Sequence, residues 1–187
     1  MPSIPGLSYL AETISDEEEN ALIRAIDSSS VWSTILRRRV QHYGYRYDYR
    51  SRRIDETMRA APFPRWLEDV GEKLMHANAL SFRPDQAIIN EYQPGQGIAA
   101  HVDCEPCFGP EVASLSLASD CEMQFCNVHT NQRAALFLER RSLVVLRGAA
   151  RFEWRHGIPA RLSDFRGGER LMRTRRISIT FRKVILA

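Results

Sequence analysis

Beyond residue 84 the chain is a succession of short apolar runs, and this pattern narrows the fold more than any other feature. The runs read "QAIINEY", "GIAAHVD", "VASLSLA", "EMQFCNV", "AALFLE", "SLVVLRG", "RFEWRHGI" and "RRISITFRKVIL", with Gly, Pro and Asn between them. Short strands at such spacing close into an antiparallel sandwich or barrel. Before them, Ser15 and Glu18 have the spacing of a helix-capping box. The stripe Ala21, Leu22, Ala25 and Ile26 then predicts a helix. A second helix is predicted from about Pro64 through Met75, burying Trp66, Leu67, Val70 and Leu74. The expected architecture is mainly β (α+β): a double-sheet core on N-terminal supporting helices, for which a jelly roll is one fitting topology.

At 187 residues, one domain with a real core is expected. No apolar run approaches the roughly 20 residues that span a bilayer, and the N-terminus lacks the pattern of a secretory signal. A cytoplasmic protein without membrane association is therefore expected, as a monomer. In that compartment Cys104, Cys107, Cys121 and Cys126 should be thiols or ligands rather than disulfides.

The stretch "NEYQPGQGIAAHVDCEP" suggests metal chemistry. In an extended segment residues i and i+2 point to one face, so His101 and Asp103 can aim at one point. His156, on a later run, is the best candidate for a third ligand. Two histidines and one carboxylate leave about three positions of an octahedral metal open, the pattern of non-haem Fe(II) oxygenases. A second signal lies in "RRISITFRK". On a strand, Arg176, Ser178, Thr180 and Arg182 share one face, while Ile177, Ile179 and Phe181 share the other. Two arginines inside a barrel need anions to neutralise them, and a dicarboxylate such as 2-oxoglutarate supplies those charges. A surface strand with solvated arginines is the alternative.

Together, "INEYQPGQGIAAHVD", "VASLSLA", "RFEWRHGI" and "RRISITFR" resemble the AlkB-type Fe(II)- and 2-oxoglutarate-dependent dioxygenases. The shared pattern is Asn-x-Tyr, a glycine turn, His-x-Asp, His-Gly-Ile and Arg-x5-Arg, in that order. The resemblance implies a double-stranded β-helix core over residues 81–187, with helical support and a nucleotide-recognition lid within 1–80. It implies that His101, Asp103 and His156 hold Fe(II), and that O2 and 2-oxoglutarate are co-substrates. Asn90 and Tyr92 would hydrogen-bond 2-oxoglutarate, Arg176 would pair with its distal carboxylate, and Arg182 would lie near the carboxylate beside the metal. Ser178 stands where family members often have asparagine. The implied reaction turns 2-oxoglutarate into succinate and CO2 while hydroxylating an alkyl carbon. On a base nitrogen, the hydroxylated alkyl group leaves as an aldehyde.

The segment "RRRVQHYGYRYDYRSRR" is the expected reader of substrate. Lysine occurs only at Lys73 and Lys183, so arginine supplies 24 of the 26 basic residues, and seven fall between Arg37 and Arg53. Arginines interleaved with Tyr43, Tyr45, Tyr47 and Tyr49 suit a nucleic-acid surface; tyrosines packed on the core are the plainer alternative. The resemblance implies that Tyr45 and Tyr47 contact the substrate backbone. It places Arg38 or Arg39 near the usual stacking aromatic, and Glu105 opposite the exocyclic amine of a bound base. The implied substrates are methylated single-stranded DNA or RNA, carrying lesions of the 1-methyladenine or 3-methylcytosine type. Three alternatives stay open: hydroxylation of a tRNA wobble base, a protein-directed dioxygenase on the same fold, and a non-catalytic module with zinc on the four cysteines.

Overall fold

The computed structural model describes residues 2–48 and 51–186. In chain order the elements are β1 (Leu7–Leu10), α1 (Asp16–Ser28), β2 (Arg39–Tyr43), α2 (Arg65–His76), β3 (Gln86–Tyr92), β4 (Ile98–His101) and β5 (Phe108–Leu117). There follow β6 (Cys121–Asn127), β7 (Arg133–Leu138), β8 (Leu143–Arg147), α3 (Gly148–Phe152), β9 (Trp154–Ile158), β10 (Ser163–Arg166), β11 (Glu169–Met172) and β12 (Arg176–Val184). No helix is long and apolar enough to cross a membrane among the described residues.

Two antiparallel sheets face each other as a double-stranded β-helix. The larger runs β1-β8-β5-β12-β3-β2 and the smaller β4-β9-β6-β7, with β10 and β11 as a separate hairpin. The alternation expected for β12 holds. Ile177, Ile179 and Phe181 are fully buried on the outer face, in one core with Leu22 and Ile26 of α1 and Leu67 and Leu74 of α2. Each contributes roughly 1.5–3 kcal/mol on burial. The inner face, with Arg176, Ser178, Thr180 and Arg182, looks into the space between the sheets.

Both helices begin where the sequence predicts. The Ser15 Oγ accepts from the Glu18 N–H and the Glu18 carboxylate from the Ser15 N–H, closing the capping box. The buried stripe of α1 is Glu19, Leu22 and Ile26, and Ala21 is exposed. Glu19 shares the face of Leu22, where its carboxylate accepts from the Ala118 N–H and from Arg140. Pro64 caps α2, whose Trp66 is only partly buried, packing edge-on to Tyr43. The periodicity missed β1, which pairs with β8, and the short helix α3 inside "RGAARFEW".

Two of the four cysteines depart from the expectation of thiols. Cys104 and Cys107 form a disulfide, because the turn between them brings their Cα atoms to 5.2 Å, within disulfide range. Cys121 and Cys126 are free on β6. Cys121 packs between the sheets, while Cys104 and Cys107 pack beside Tyr45 and Phe108. The four sulfurs form no common site, which removes the zinc module.

Candidate active site

The inner faces of β3, β12, β5 and β8 and the near ends of β4 and β9 enclose a cavity of about 350 Å³. Strand register brings its polar groups together. Arg176 stands opposite Tyr92, and Ser178 opposite Asn90, on the paired strands β12 and β3. Across the cavity, β4 and β9 set His101 directly beside His156, with ring centroids 4.6 Å apart. This pairing depends on Gly157, because a Cβ there would lie 2.8 Å from the Ala100 nitrogen.

Asp103 lies just past the end of β4, in irregular chain rather than on the strand. It still meets the two histidines: the ligand-capable atoms of His101, Asp103 and His156 all lie within 4.8 Å of one another. His101 Nδ1 donates to the Ala99 carbonyl at 2.9 Å, which leaves Nε2 with its lone pair for a metal. Arg182 donates through Nε (3.0 Å) and Nη2 (2.6 Å) to Asp103 Oδ1 alone. Asp103 Oδ2 is buried without a hydrogen-bond partner and lies 3.5 Å from His156 Nε2.

Burial opposes charge on Asp103, but the adjacent Arg182 guanidinium outweighs it and holds the carboxyl well below its usual range. Burial, chiefly, pushes His156 down to about 4 despite the pull of Asp103. A neutral imidazole beside an ionised carboxylate is the state in which both donate electron pairs to a cation. On the opposite wall, Arg176 Nη2 donates to Ser116 Oγ at 2.8 Å, while its Nε and Nη1 are buried without partners. Unsatisfied guanidinium donors suit a carboxylate. The residues therefore fit a divalent cation at one end of the cavity and an organic anion between it and Arg176.

The expected co-substrate residues Asn90, Tyr92, Arg176, Ser178 and Arg182 all line this cavity. The expected substrate residues divide. Arg38 lines the mouth, donating to Asn90 Oδ1 at 2.9 Å, and Tyr47 lines it beside Phe108. Arg39 does not: the alternation of β2 turns it away, onto Glu91 and over the Trp32 ring. Tyr45 is buried under the Arg59 guanidinium, outside the cavity lining. Glu105 is exposed on the turn after Asp103 and does not reach the cavity. Tyr49 and Arg50 lie outside the described residues. Sequence reasoning missed Leu36, which lines the cavity, as Arg38 and Arg52 do.

A double-stranded β-helix with two histidines and a carboxylate at one end, and arginines on the strand opposite, defines the class of 2-oxoglutarate-dependent iron oxygenases. Known proteins agree. The chain belongs to the 2OG-Fe(II) oxygenase superfamily, whose family model matches residues 6–182, and within it to the AlkB type. The cofactors of that family are Fe(II), 2-oxoglutarate and O2. The chain is 37% identical over 171 residues to tRNA (carboxymethyluridine(34)-5-O)-methyltransferase ALKBH8 of Macaca fascicularis. That match covers 86% of this chain and 25% of the relative, so the chain spans about a quarter of the relative's length. It is 32% identical to mitochondrial alpha-ketoglutarate-dependent dioxygenase alkB homolog 7 of Mus musculus, over 91% of this chain and 75% of that one. The solved structure of OsALKBH1 superposes with a TM-score of 0.72 at 17% identity, over 98% of this chain and 99% of that chain, and shows the shared fold.

Proposed function

We propose that the chain is a dioxygenase that oxidatively demethylates N-alkylated nucleobases in single-stranded nucleic acid. The observation that carries this reading is the His101–Asp103–His156 cluster, with Asp103 buried at its centre, sharing one cavity with the unsatisfied donors of Arg176. In this reading His101, Asp103 and His156 hold Fe(II), Arg176 pairs with the distal carboxylate of 2-oxoglutarate, and Asn90, Tyr92 and Ser178 hydrogen-bond it. When bound, iron supplies the oxidising chemistry that couples decarboxylation of 2-oxoglutarate to hydroxylation of an alkyl carbon.

The protein's own work is positional. Arg182 keeps Asp103 ionised and fixes its rotamer, so that Oδ2 is presented toward the histidines. Ala99 sets the tautomer of His101. The apolar wall of Met123, Val144 and Leu146 limits water around the reacting carbon. Arg38, Tyr47 and Arg52 at the mouth meet the sugar-phosphate chain and the flipped base.

The test is to incubate the chain with Fe(II), 2-oxoglutarate and methylated single-stranded DNA and RNA, following succinate and oligonucleotide mass. Loss of one methylene unit with matching succinate is expected. The likeness to a protein named for a tRNA carboxymethyluridine favours tRNA as a second substrate class. Gain of one oxygen on tRNA, with methylated oligonucleotides untouched, would select that reading. Succinate formed with no change in any nucleic acid would direct attention to protein substrates. No succinate under any condition would refute the oxygenase itself.

A further inference from the structure

Arg151 is among the most deeply buried side chains of the molecule, 1% exposed, and no step above uses it. Its four acceptors are backbone carbonyl oxygens. Nη1 donates to Asp103 at 3.0 Å, Nε to Gly109 at 3.3 Å, and Nη2 to Cys104 at 3.4 Å and Phe108 at 3.3 Å. Only the bond to Asp103 has the usual length for N–H···O. The others spread the fork across both sides of the turn that follows β4.

Two facts give this arrangement meaning. Residues 102–107 belong to no strand, so the Asp103 carbonyl has no ladder partner and a side chain must satisfy it. Arg151 also sits on α3, which leads directly into β9 and His156. The segment carrying one histidine thus reaches back to the backbone of the carboxylate residue. A buried guanidinium is costly to desolvate, and an apolar side chain would fill the same space. What only the planar fork achieves is a rigid tie among four carbonyls.

From this geometry we infer that Arg151 is a positioning residue for the metal centre, locking the Asp103 turn to the His156 strand. The inference rests on the proposed metal-holding role of His101, Asp103 and His156. It concerns the separation between ligands, so it predicts an effect on metal affinity before any co-substrate or oxygen is present.

Ni(II) titration by calorimetry, without 2-oxoglutarate, tests it on the full chain, because Ni(II) binds such donors more tightly than Fe(II). Arg151→Lys keeps the charge and up to three donors but loses the planar fork. The variant should fold, judged by circular dichroism, and weaken Ni(II) binding by about tenfold or more, the usual effect of losing a ligand-orienting partner. In an Asp103→Ala background, where no carboxylate remains to be positioned, the same substitution should change affinity less than about twofold. An Arg151→Lys variant that binds within twofold of wild type overturns the inference, as does an equal loss in both backgrounds.

Amide exchange on the wild-type chain supplies a readout independent of how any variant folds. Ni(II) should slow exchange in residues 148–152 together with 102–109; protection confined to the immediate ligands overturns the tie. If wild type binds no stoichiometric Ni(II), or if Asp103→Ala and His156→Ala bind it unchanged, the metal reading itself fails and takes this inference with it.

Discussion

Arg182 and Asp103, 79 residues apart in sequence, meet with Nη2 2.6 Å from Oδ1; Nε donates to the same oxygen, while Nη1 donates to Gln86 Oε1. The pair is buried, so each charge depends on the other. It commits Oδ1 and leaves Oδ2 for the cluster with His101 and His156. The electrostatics of β12 are thereby connected to the site on the opposite sheet.

Removing one member of this pair should be expensive. Arg182→Met leaves a buried carboxylate uncompensated, which costs about 3–5 kcal/mol in such pairs. Chemical denaturation of the metal-free chain should show this loss. Arg182→Lys, which keeps a single charge-assisted bond, should lose less.

Arg176 should separate from Arg182 in kinetics. Its unsatisfied Nε and Nη1 face the cavity, and in the proposed reading they hold the distal carboxylate. Arg176→Met should raise the KM for 2-oxoglutarate at least about tenfold, the scale of one lost charge-assisted bond. Stability should change little by comparison, since Arg176 has no carboxylate partner among the described residues to strand. An unchanged KM would remove the assignment.

Acid should unfold the metal-free chain earlier than its carboxylates alone require. His156 and His42 are both pushed down to about 4, chiefly by burial. Each is neutral in the fold yet takes a proton in the unfolded chain below its ordinary value near 6.5. Their contribution is therefore intact above about pH 6.5 and is lost as the pH falls toward 4, by up to roughly 3 kcal/mol each. Asp103, held low by Arg182, extends the decline below pH 4. Denaturation midpoints measured from pH 7 to 4 should fall steadily, and a flat profile would contradict the burial argument.

Gly157→Ala tests the spacing of the two histidines. The new Cβ would meet the backbone of Ala100 at 2.8 to 2.9 Å, where neither strand has a flexible atom to yield. Widening β4 from β9 should reduce metal affinity and succinate formation more than about tenfold, by analogy with other ligand-orienting changes.

The neighbouring arginines Arg38, just before β2, and Arg39, its first residue, should behave differently. Arg38→Ala should weaken nucleic-acid binding and disturb Asn90, to which it donates. Arg39→Ala should leave substrate KM unchanged and cost no more than about 1 kcal/mol, because its pair with Glu91 is partly solvated and Arg175 remains. Fluorescence-polarisation binding and thermal melts on both variants would distinguish them.

Much of the site could be read in the residues themselves. The period-two spacing from Arg176 to Arg182 predicts which four side chains share a face, and all four line the cavity. The alternation in "QAIINEY" likewise keeps Asn90 and Tyr92 together. Ser15 and Glu18 mark a helix start through bonds that span three residues. Such features are local: backbone geometry repeats every two or 3.6 residues regardless of what lies opposite.

The rest was decided by partners distant in the chain. Alternation sets Arg38 and Arg39 on opposite faces but does not say which face meets the cavity; Glu91 on the adjacent strand captures Arg39 and leaves Arg38 at the cavity. Tyr45 and Tyr47 continue the same every-second-residue spacing beyond Tyr43, yet only Tyr47 lines the cavity. Glu105 has the spacing to share a face with Asp103 only if the strand continues, and the chain instead turns toward Cys107. Arg151 carries no sequence signal, because its acceptors are backbone atoms that any residue possesses. Sequence by itself determined which side chains could act together, since strand period is intrinsic to the backbone. Tertiary structure decided which of them do, since burial and charge pairing depend on the opposing sheet.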